Sequence, residues 1–559
     1  RQFFSYFGLA KKKKNRELFM GPLSKYLPIA AMFGFSLQLC VAQCPPRPAP
    51  NTVLNDAPSI YSQNGVLTAG LTLGYSVDTS GYTHYCYQYI TPTGVAEAPT
   101  LRLNPGDQLL LSVTDAIPST ATESKSAMHN MAPAVGTTTC GDGGAATLQS
   151  TNVHFHGMSV PPVCHQDDVI NTLIQPGANG AFQFNMTIPA TQPPGLYWYH
   201  PHVHGFTEFQ VNGGAAGAMI VEGMEKYRPE VTGLVERVFV IRQEYLVPWV
   251  PGPYQLTINF ENAGIIEGPT PYIQMKPGEK QFWRVANATL QDFMPIQLWF
   301  DGVPQQLELI ALDGYPLAAP RFQNTILIPP AGRAEFIVQA PTAPISAVLE
   351  TLPYNTGPTG NADVQTLIAT VQLVTGGNAA KESPQQEARP VAQQAKPATV
   401  PASASTPPLK FAGLRDVTPT TTRKLFFSEE FGGTNGPIQF YITVDGQPQR
   451  VFNPNEKPAI TTKVGAVEDW TIENHALETH DFHIHQIHFM VLEVNGQPVA
   501  NQAMRDTIEI PYWTGKGPYP SVKLRMDFRD PTIAGTFLFH CHILLHEDLG
   551  MMHKILVEP

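Results

Sequence analysis

Cysteine is scarce in this chain, six in 559 residues, and unevenly placed. Cys40, Cys44, Cys86, Cys140 and Cys164 fall in the N-terminal third, and Cys541 stands alone near the other end. That excludes a small scaffold held together by disulfides. Charge is scarce too: Asp, Glu, Lys and Arg make up 14% of the residues and the formal net charge is −11. Without a long basic stripe, nucleic acid is excluded as a natural partner. Long apolar runs are nearly absent. The one candidate, Tyr26 to Val41, is interrupted by Pro28, Gly34 and Gln38 and is shorter than the roughly 20 apolar residues of a spanning helix. No long amphipathic helix can be traced.

Residues 1–42 read as upstream sequence followed by a secretory signal. Arg1 is not a translation start, Met20 can serve as one, Lys25 precedes the apolar run, and Cys40-Val41-Ala42 offers a small-residue cleavage site. The expectation is export, periplasmic or extracellular, with no stable membrane insertion of the mature chain. Once Cys40 leaves with the signal, four N-terminal cysteines suggest one or two disulfides, and all three full pairings stay open.

What the chain has in quantity is turn formers, 45 Gly and 53 Pro, among 43% hydrophobic residues. Short apolar runs recur between them, as at Gln108 to Val113, Gly217 to Val221, Arg237 to Ile241, Gln281 to Ala286, Ala334 to Val338 and Thr536 to Phe539. Many are β-branched or aromatic and several alternate, which predicts an all-β protein of sandwiches. The length is too great for one domain. From Gly376 to Pro408 the only large aliphatics are Val391 and Val400, so this stretch reads as a disordered Pro/Ala/Gln-rich linker. The expected organisation is a leader over 1–42, domains over 43–230 and 231–375, a linker over 376–411 and a third domain over 412–559.

Histidine carries the chemistry. Four segments hold most of the 17: His154-Phe155-His156; His200-Pro201-His202; His480-Asp481-Phe482-His483-Ile484-His485; and His540-Cys541-His542, followed by His546 and Met551. Side chains alternate faces along a strand. The pairs His154/His156, His200/His202, His483/His485 and His540/His542 therefore each share a face, and eight imidazoles can converge. Because two segments lie in the first domain and two in the third, the site must lie between those domains. Cys541 and His480 point the other way, where His546 and Met551 can fold back to them. Two histidines, a cysteine and a weak axial methionine are the ligand set of a blue-copper electron-transfer centre, and a thioether is an unusual ligand for zinc. Eight imidazoles are too many for one ion and suit three coppers, linked through the backbone from Cys541 to His540 and His542.

These motifs, in this order and spacing, resemble the three-domain multicopper oxidases, the laccase-like group. The likeness spans roughly residues 95 to 559 and extends to Pro277-Gly278-Glu279, Trp283-Arg284-Val285 and Leu327-Ile328-Pro329-Pro330-Ala331-Gly332-Arg333. It implies three cupredoxin-like Greek-key β-sandwich domains and four copper ions. His480, Cys541, His546 and axial Met551 would hold type 1 copper. His154 and His483 would hold type 2. His156, His200 and His542 would hold one type 3 copper, and His202, His485 and His540 the other. The implied activity is one-electron oxidation of phenolic or related aromatic substrates, with four-electron reduction of dioxygen to water, by a monomer. Two alternatives stand beside it: a metal-ion oxidase acting on Cu(I), Fe(II) or Mn(II), and a non-catalytic copper-binding protein. The absence of a Met cluster between Phe411 and Thr536 favours organic reductants.

Reduction of dioxygen consumes protons, so nearby acids are candidates for their delivery. Glu547 follows His546, and Asp167 falls where relatives carry an acid close to the cluster, with Asp168 as its competitor. His204, His488 and His553 are not required by the motifs, and His84, His129, His165 and His475 read as ordinary. Many relatives have Pro after the first histidine of the third motif, where this chain has Asp481, so a different shape or charge is expected at the substrate edge near His480.

Overall fold

The computed structural model describes residues 43–559 apart from 50, 78–82, 93, 119–139, 178–179, 245–254, 265–269, 375–408, 432–437 and 501–502. The leader and nearly all of the expected linker lie outside the described residues. Chain packing resumes ahead of residue 412: Lys410 and Phe411 are already buried, and Phe411 joins a cluster with Leu414, Val467 and Met504.

The described chain is built from paired β-sheets, in three sets along the sequence. In the first set, a five-stranded sheet runs Ser59–Tyr61, Thr100–Leu103, Gly217–Val221, Gly195–His200, His154–His156. It faces a second five-stranded sheet that includes Val66–Val77 and Gln108–Asp115. The second set has sheets of seven and six strands between Val235 and Leu373. The third has a seven-stranded sheet and a five-stranded one ordered Ile460–Lys463, Met552–Glu558, Gly535–Cys541, His480–Ile484, Thr507–Ile510.

Period-two alternation explains these layers. Along Gln108–Asp115 the burial pattern switches at every residue, with Leu109, Leu111 and Val113 turned into the first core. Gly195–His200 is buried throughout because both its faces are covered. Tyr197 and Tyr199 pack into the first core. Leu196 and Trp198 pack with Ala218, Ile220, Val238, Val240 and Ala286 in a separate cluster joining the first sandwich to the second. Each buried Leu, Ile or Val side chain there contributes on the order of 1.5–3 kcal/mol, so the seam is a firm platform.

Helix is confined, among the described residues, to short pieces, and the two α-helical ones, Thr207–Asn212 and Leu544–Asp548, touch across the first and third sandwiches. Buried Asp548 accepts the backbone N–H groups of Gly205 (2.9 Å), Thr207 (3.1 Å) and Glu208 (2.8 Å). A carboxylate on the open N–H groups of a helix start is a favourable pairing. Among the described residues the cysteines pair Cys44–Cys86 and Cys140–Cys164, leaving Cys541 free and buried. Among the described residues no helix is long and apolar enough to cross a membrane.

Candidate metal centre

Strand register assembles the histidines. His154 lies opposite His200 where His154–His156 pairs with Gly195–His200, and His483 lies opposite His540 where His480–Ile484 pairs with Gly535–Cys541. The two edges meet, stacking His154 on His485 and His156 on His483, each with ring centroids 3.9 Å apart. Three triads result: His154, His156, His483; His156, His200, His542; and His202, His485, His540. Within each, one nitrogen per residue lies within 4.8 Å of the others. All eight rings are buried.

Outer hydrogen bonds choose which nitrogen faces inward. His154 Nδ1 meets Asp167 at 3.0 Å, His200 Nδ1 donates to the Pro201 carbonyl at 2.8 Å, His483 Nδ1 to the Asp506 carbonyl at 2.7 Å, and His540 Nδ1 to the Cys541 carbonyl at 2.9 Å. With the proton on Nδ1, the Nε2 lone pair of each is left for a metal. The inward Nε2 atoms of His154, His200 and His483 have no hydrogen-bond partner, nor does either nitrogen of His542. His540 Nε2 lies 3.4 Å from His202 Nε2 and 3.2 Å from His485 Nε2. Burial holds these rings below their ordinary pKa, His200 down to about 3 and His540 to about 4, so they are neutral with lone pairs available. Buried nitrogens without partners are costly, and a shared metal ion satisfies them. The donor set therefore fits copper or another metal that accepts imidazole.

Cys541 occupies the opposite face of its strand. Its Sγ lies 3.6 Å from His480 Nδ1 and 3.8 Å from His546 Nδ1, and those nitrogens are 3.3 Å apart. Met551 is fully buried in the same core as Cys541, and its carbonyl accepts the Cys541 N–H at 3.0 Å. Burial pushes the Cys541 thiol well up and His546 well down.

Both expected acids lie against the cluster. Glu547 is 3.5 Å from His202 Nε2 and 3.3 Å from His540 Nδ1. Asp167 faces His154, whereas Asp168 turns away and accepts from the Asn171 side chain at 2.9 Å. His204 and His488 stand outside the triads. His204 packs edge-on to Phe452, and His488 Nε2 donates to the Asp313 carbonyl at 2.7 Å. Asp481 is fully buried, on the face of the strand opposite to His480, and accepts from Thr507 Oγ1 at 2.9 Å.

Four contributors had no role assigned from the sequence. Asp506 backs the cluster twice, through its carbonyl to His483 and through a carboxylate oxygen 3.3 Å from His156 Nε2. Arg333, at the end of the Pro329-Pro330-Ala331-Gly332-Arg333 run, grips that carboxylate. Glu429 and Glu478 face the outer nitrogens of the second site, at 3.3 Å from His480 Nε2 and 3.7 Å from His546 Nε2. Only the Arg333 motif stood out beforehand; the other three lack any pattern along the chain.

Comparison with known proteins agrees with this arrangement. Multicopper oxidase family models match residues 146–226, 235–357 and 432–559. The multicopper oxidase mco of Staphylococcus aureus is 24% identical over 423 residues, 73% of this chain and 77% of that protein. A Campylobacter jejuni multicopper oxidase described as a metallo-oxidase superposes with TM-score 0.65 at 21% identity, covering 91% of this chain and 96% of that one. A laccase-like multicopper oxidase of Ochrobactrum sp. superposes with TM-score 0.57 at 19% identity, covering 92% and 100%. At such identities the superpositions show the fold, three cupredoxin-like sandwiches. With the three family matches following one another along those sandwiches, the chain belongs to the multicopper oxidases, copper-dependent oxidoreductases with dioxygen as acceptor.

Proposed function

We propose that this protein takes single electrons from phenolic or related aromatic reductants at the His480–Cys541–His546 site and uses them to reduce dioxygen to water at the eight-histidine cluster. The carrying observation is the coexistence of a buried His₂Cys set with three histidine triads, joined through one peptide segment. His480, Cys541, His546 and Met551 would hold a type 1 copper. His154 and His483 would hold a type 2 copper, and His156, His200, His542 with His202, His485, His540 a type 3 pair. Bound there, four copper ions would supply the one-electron chemistry between reductant and dioxygen.

The chain's own groups have definable tasks. The backbone of His540-Cys541-His542 carries the shortest covalent path between the two sites, since Cys541 faces one and its neighbours the other. Asp167 fixes the His154 ring. Glu547 places one carboxyl oxygen beside His202 and the other beside His540, where it can hold a proton for the reduction of dioxygen. At the electron-accepting edge Glu429 and Glu478 form a carboxyl pair, with Glu478 pushed up to about 8 by burial and by Glu429 beside it. Such a pair can take the proton that a phenol releases on losing an electron.

The same two carboxyls favour a second reading, a cationic reductant such as Fe(II) or Cu(I), and the Campylobacter relative is described as a metallo-oxidase. Oxygen uptake by the copper-loaded protein over phenols, aromatic amines, Fe(II) and Cu(I) separates the two. Faster uptake with phenols supports the first reading, and uptake with metal ions alone replaces it. No uptake with any reductant would leave a copper-binding protein. Export of the mature chain is part of this proposal, supported by the two disulfides.

A further inference from the structure

Gln486 has a backbone that its side chain disfavours. Its φ is +58°, in the left-handed region where residues other than glycine are strained. It is the centre of a three-residue turn in which the Ile487 N–H donates to the His485 carbonyl at 2.8 Å, and turns of this hand are rare. A strained residue persists where its surroundings over-determine it, and such sites cluster at functional centres.

What Gln486 gains is a contact across the two sandwiches. It is 1% exposed, and its Nε2 donates to Asp167 Oδ2 at 2.5 Å. The Asp167 carboxyl, also buried, takes the Phe155 N–H on one oxygen and the Gln486 amide on the other, so the NH₂ end of Gln486 faces it. The first of these oxygens accepts the Phe155 N–H at 3.0 Å and meets His154 Nδ1 at 3.0 Å. His154 is thus held on its outer nitrogen by a carboxylate that Gln486 itself holds. The residue before Gln486, His485, stacks on the His154 ring. One tight turn of the third sandwich therefore grips a ligand-bearing residue of the first by both its face and its outer edge.

We propose that Gln486 is a positioning residue. By locking Asp167, it sets the tautomer and orientation of His154 and so the type 2 copper environment. This rests on the reading of His154 as a copper ligand. The strained φ at residue 486 is maintained because it directs the amide at Asp167. Removing partners that orient a metal-binding histidine typically weakens metal binding 10- to 100-fold.

Two variants separate side chain from backbone. Gln486→Gly accepts the positive φ freely, so it keeps the turn and loses the donor. Gln486→Leu keeps the size and the strain but loses the donor. The expected result is that both fold, with the metal-free Gly variant unfolding at a temperature no lower than the Leu variant. Both should keep the blue absorption, lose cluster copper to a chelator at roughly tenfold lower concentration, and show an altered type 2 electron paramagnetic resonance spectrum. In an Asp167→Asn background, Gln486→Leu should add little further change. A Gly variant with wild-type copper retention and an unaltered type 2 spectrum would overturn the proposal, as would a full additional loss in the Asp167→Asn background. A wild-type protein that loads copper without a type 2 resonance would instead overturn the ligand reading on which the proposal stands.

Discussion

Arg333 and Asp506 form a two-pronged ion pair beneath the histidine cluster: Nη1 meets Oδ1 at 2.7 Å and Nη2 meets Oδ2 at 2.5 Å, with both side chains 0% exposed. Arg333 belongs to the second sandwich, which contributes no histidine to the triads. Through Asp506 it nonetheless reaches His156 and His483.

Removing one partner of a buried pair leaves an uncompensated charge and costs about 3–5 kcal/mol. Arg333→Met should therefore lower unfolding stability by that order in denaturant titrations and weaken copper retention at the cluster. Arg333→Lys should recover only part of the loss, since an ammonium cannot supply two parallel donors. Wild-type stability in Arg333→Met would show that Asp506 finds another partner.

Cys541→Ser tests the division into two sites. The thiolate is the only soft anionic donor at the His480–His546 site, and the strong visible absorption of a blue centre depends on it. Its neighbours His540 and His542 face the other cavity. Copper analysis should find the type 1 ion lost or colourless and the cluster loaded, with oxidase activity near zero. Persistent blue colour or near-normal oxidation of phenols would refute the assignment.

Met551→Leu should raise the reduction potential of the type 1 site, because a thioether stabilises the oxidised ion relative to an alkyl side chain. A redox titration showing a fall or no change would remove Met551 from the axial position.

Glu547→Gln keeps the shape of the side chain and removes its acid. Turnover should fall by about 10²-fold, the lower end of the usual contribution of a general acid, with colour and copper content unchanged. Full activity across pH would eliminate the proton-passing role, and loss of copper would assign Glu547 to holding the site together.

Asp115 gives a pH signature away from any copper ligand. Burial is the main cause that pushes its carboxyl up to about 8, against about 3.9 in an unfolded chain. Below pH 4 it is neutral in both states and costs nothing. As pH rises from about 4 to 8 the unfolded chain ionises first, so folding stability falls. Asp115→Asn removes that dependence. The variant should match the wild type near pH 4 in urea unfolding and gain on it towards pH 8, by up to ~1.4 kcal/mol per unit. A gap independent of pH would contradict the shift.

Much of the site was legible because alternation along a strand is local. The sharing of a face by His154 and His156, or by His540 and His542, and the opposite aim of Cys541, follow from period two alone, and the register bears them out. The same logic located the β-rich runs that became Gln108–Asp115 and Gly217–Val221. It also shows why Asp481 meets Thr507 and not the His480 site, since its neighbour His480 takes the other side of the strand.

By itself the sequence determined the all-β class, the four histidine segments and their parity, because backbone geometry and residue type act over a few residues. Tertiary structure decided which segments meet. Only sheet pairing and sandwich packing could join His156 to His200 and His542, select Cys44–Cys86 and Cys140–Cys164 from three possible pairings, or aim Gln486 at Asp167 across 319 positions. Asp506, Glu429 and Glu478 were silent for the same reason, and Arg333, though inside a recognised motif, showed no role until its partner was in place. A buried charge is explained by its partner, and here each partner arrives from a different strand or sandwich, at a separation that no local pattern records.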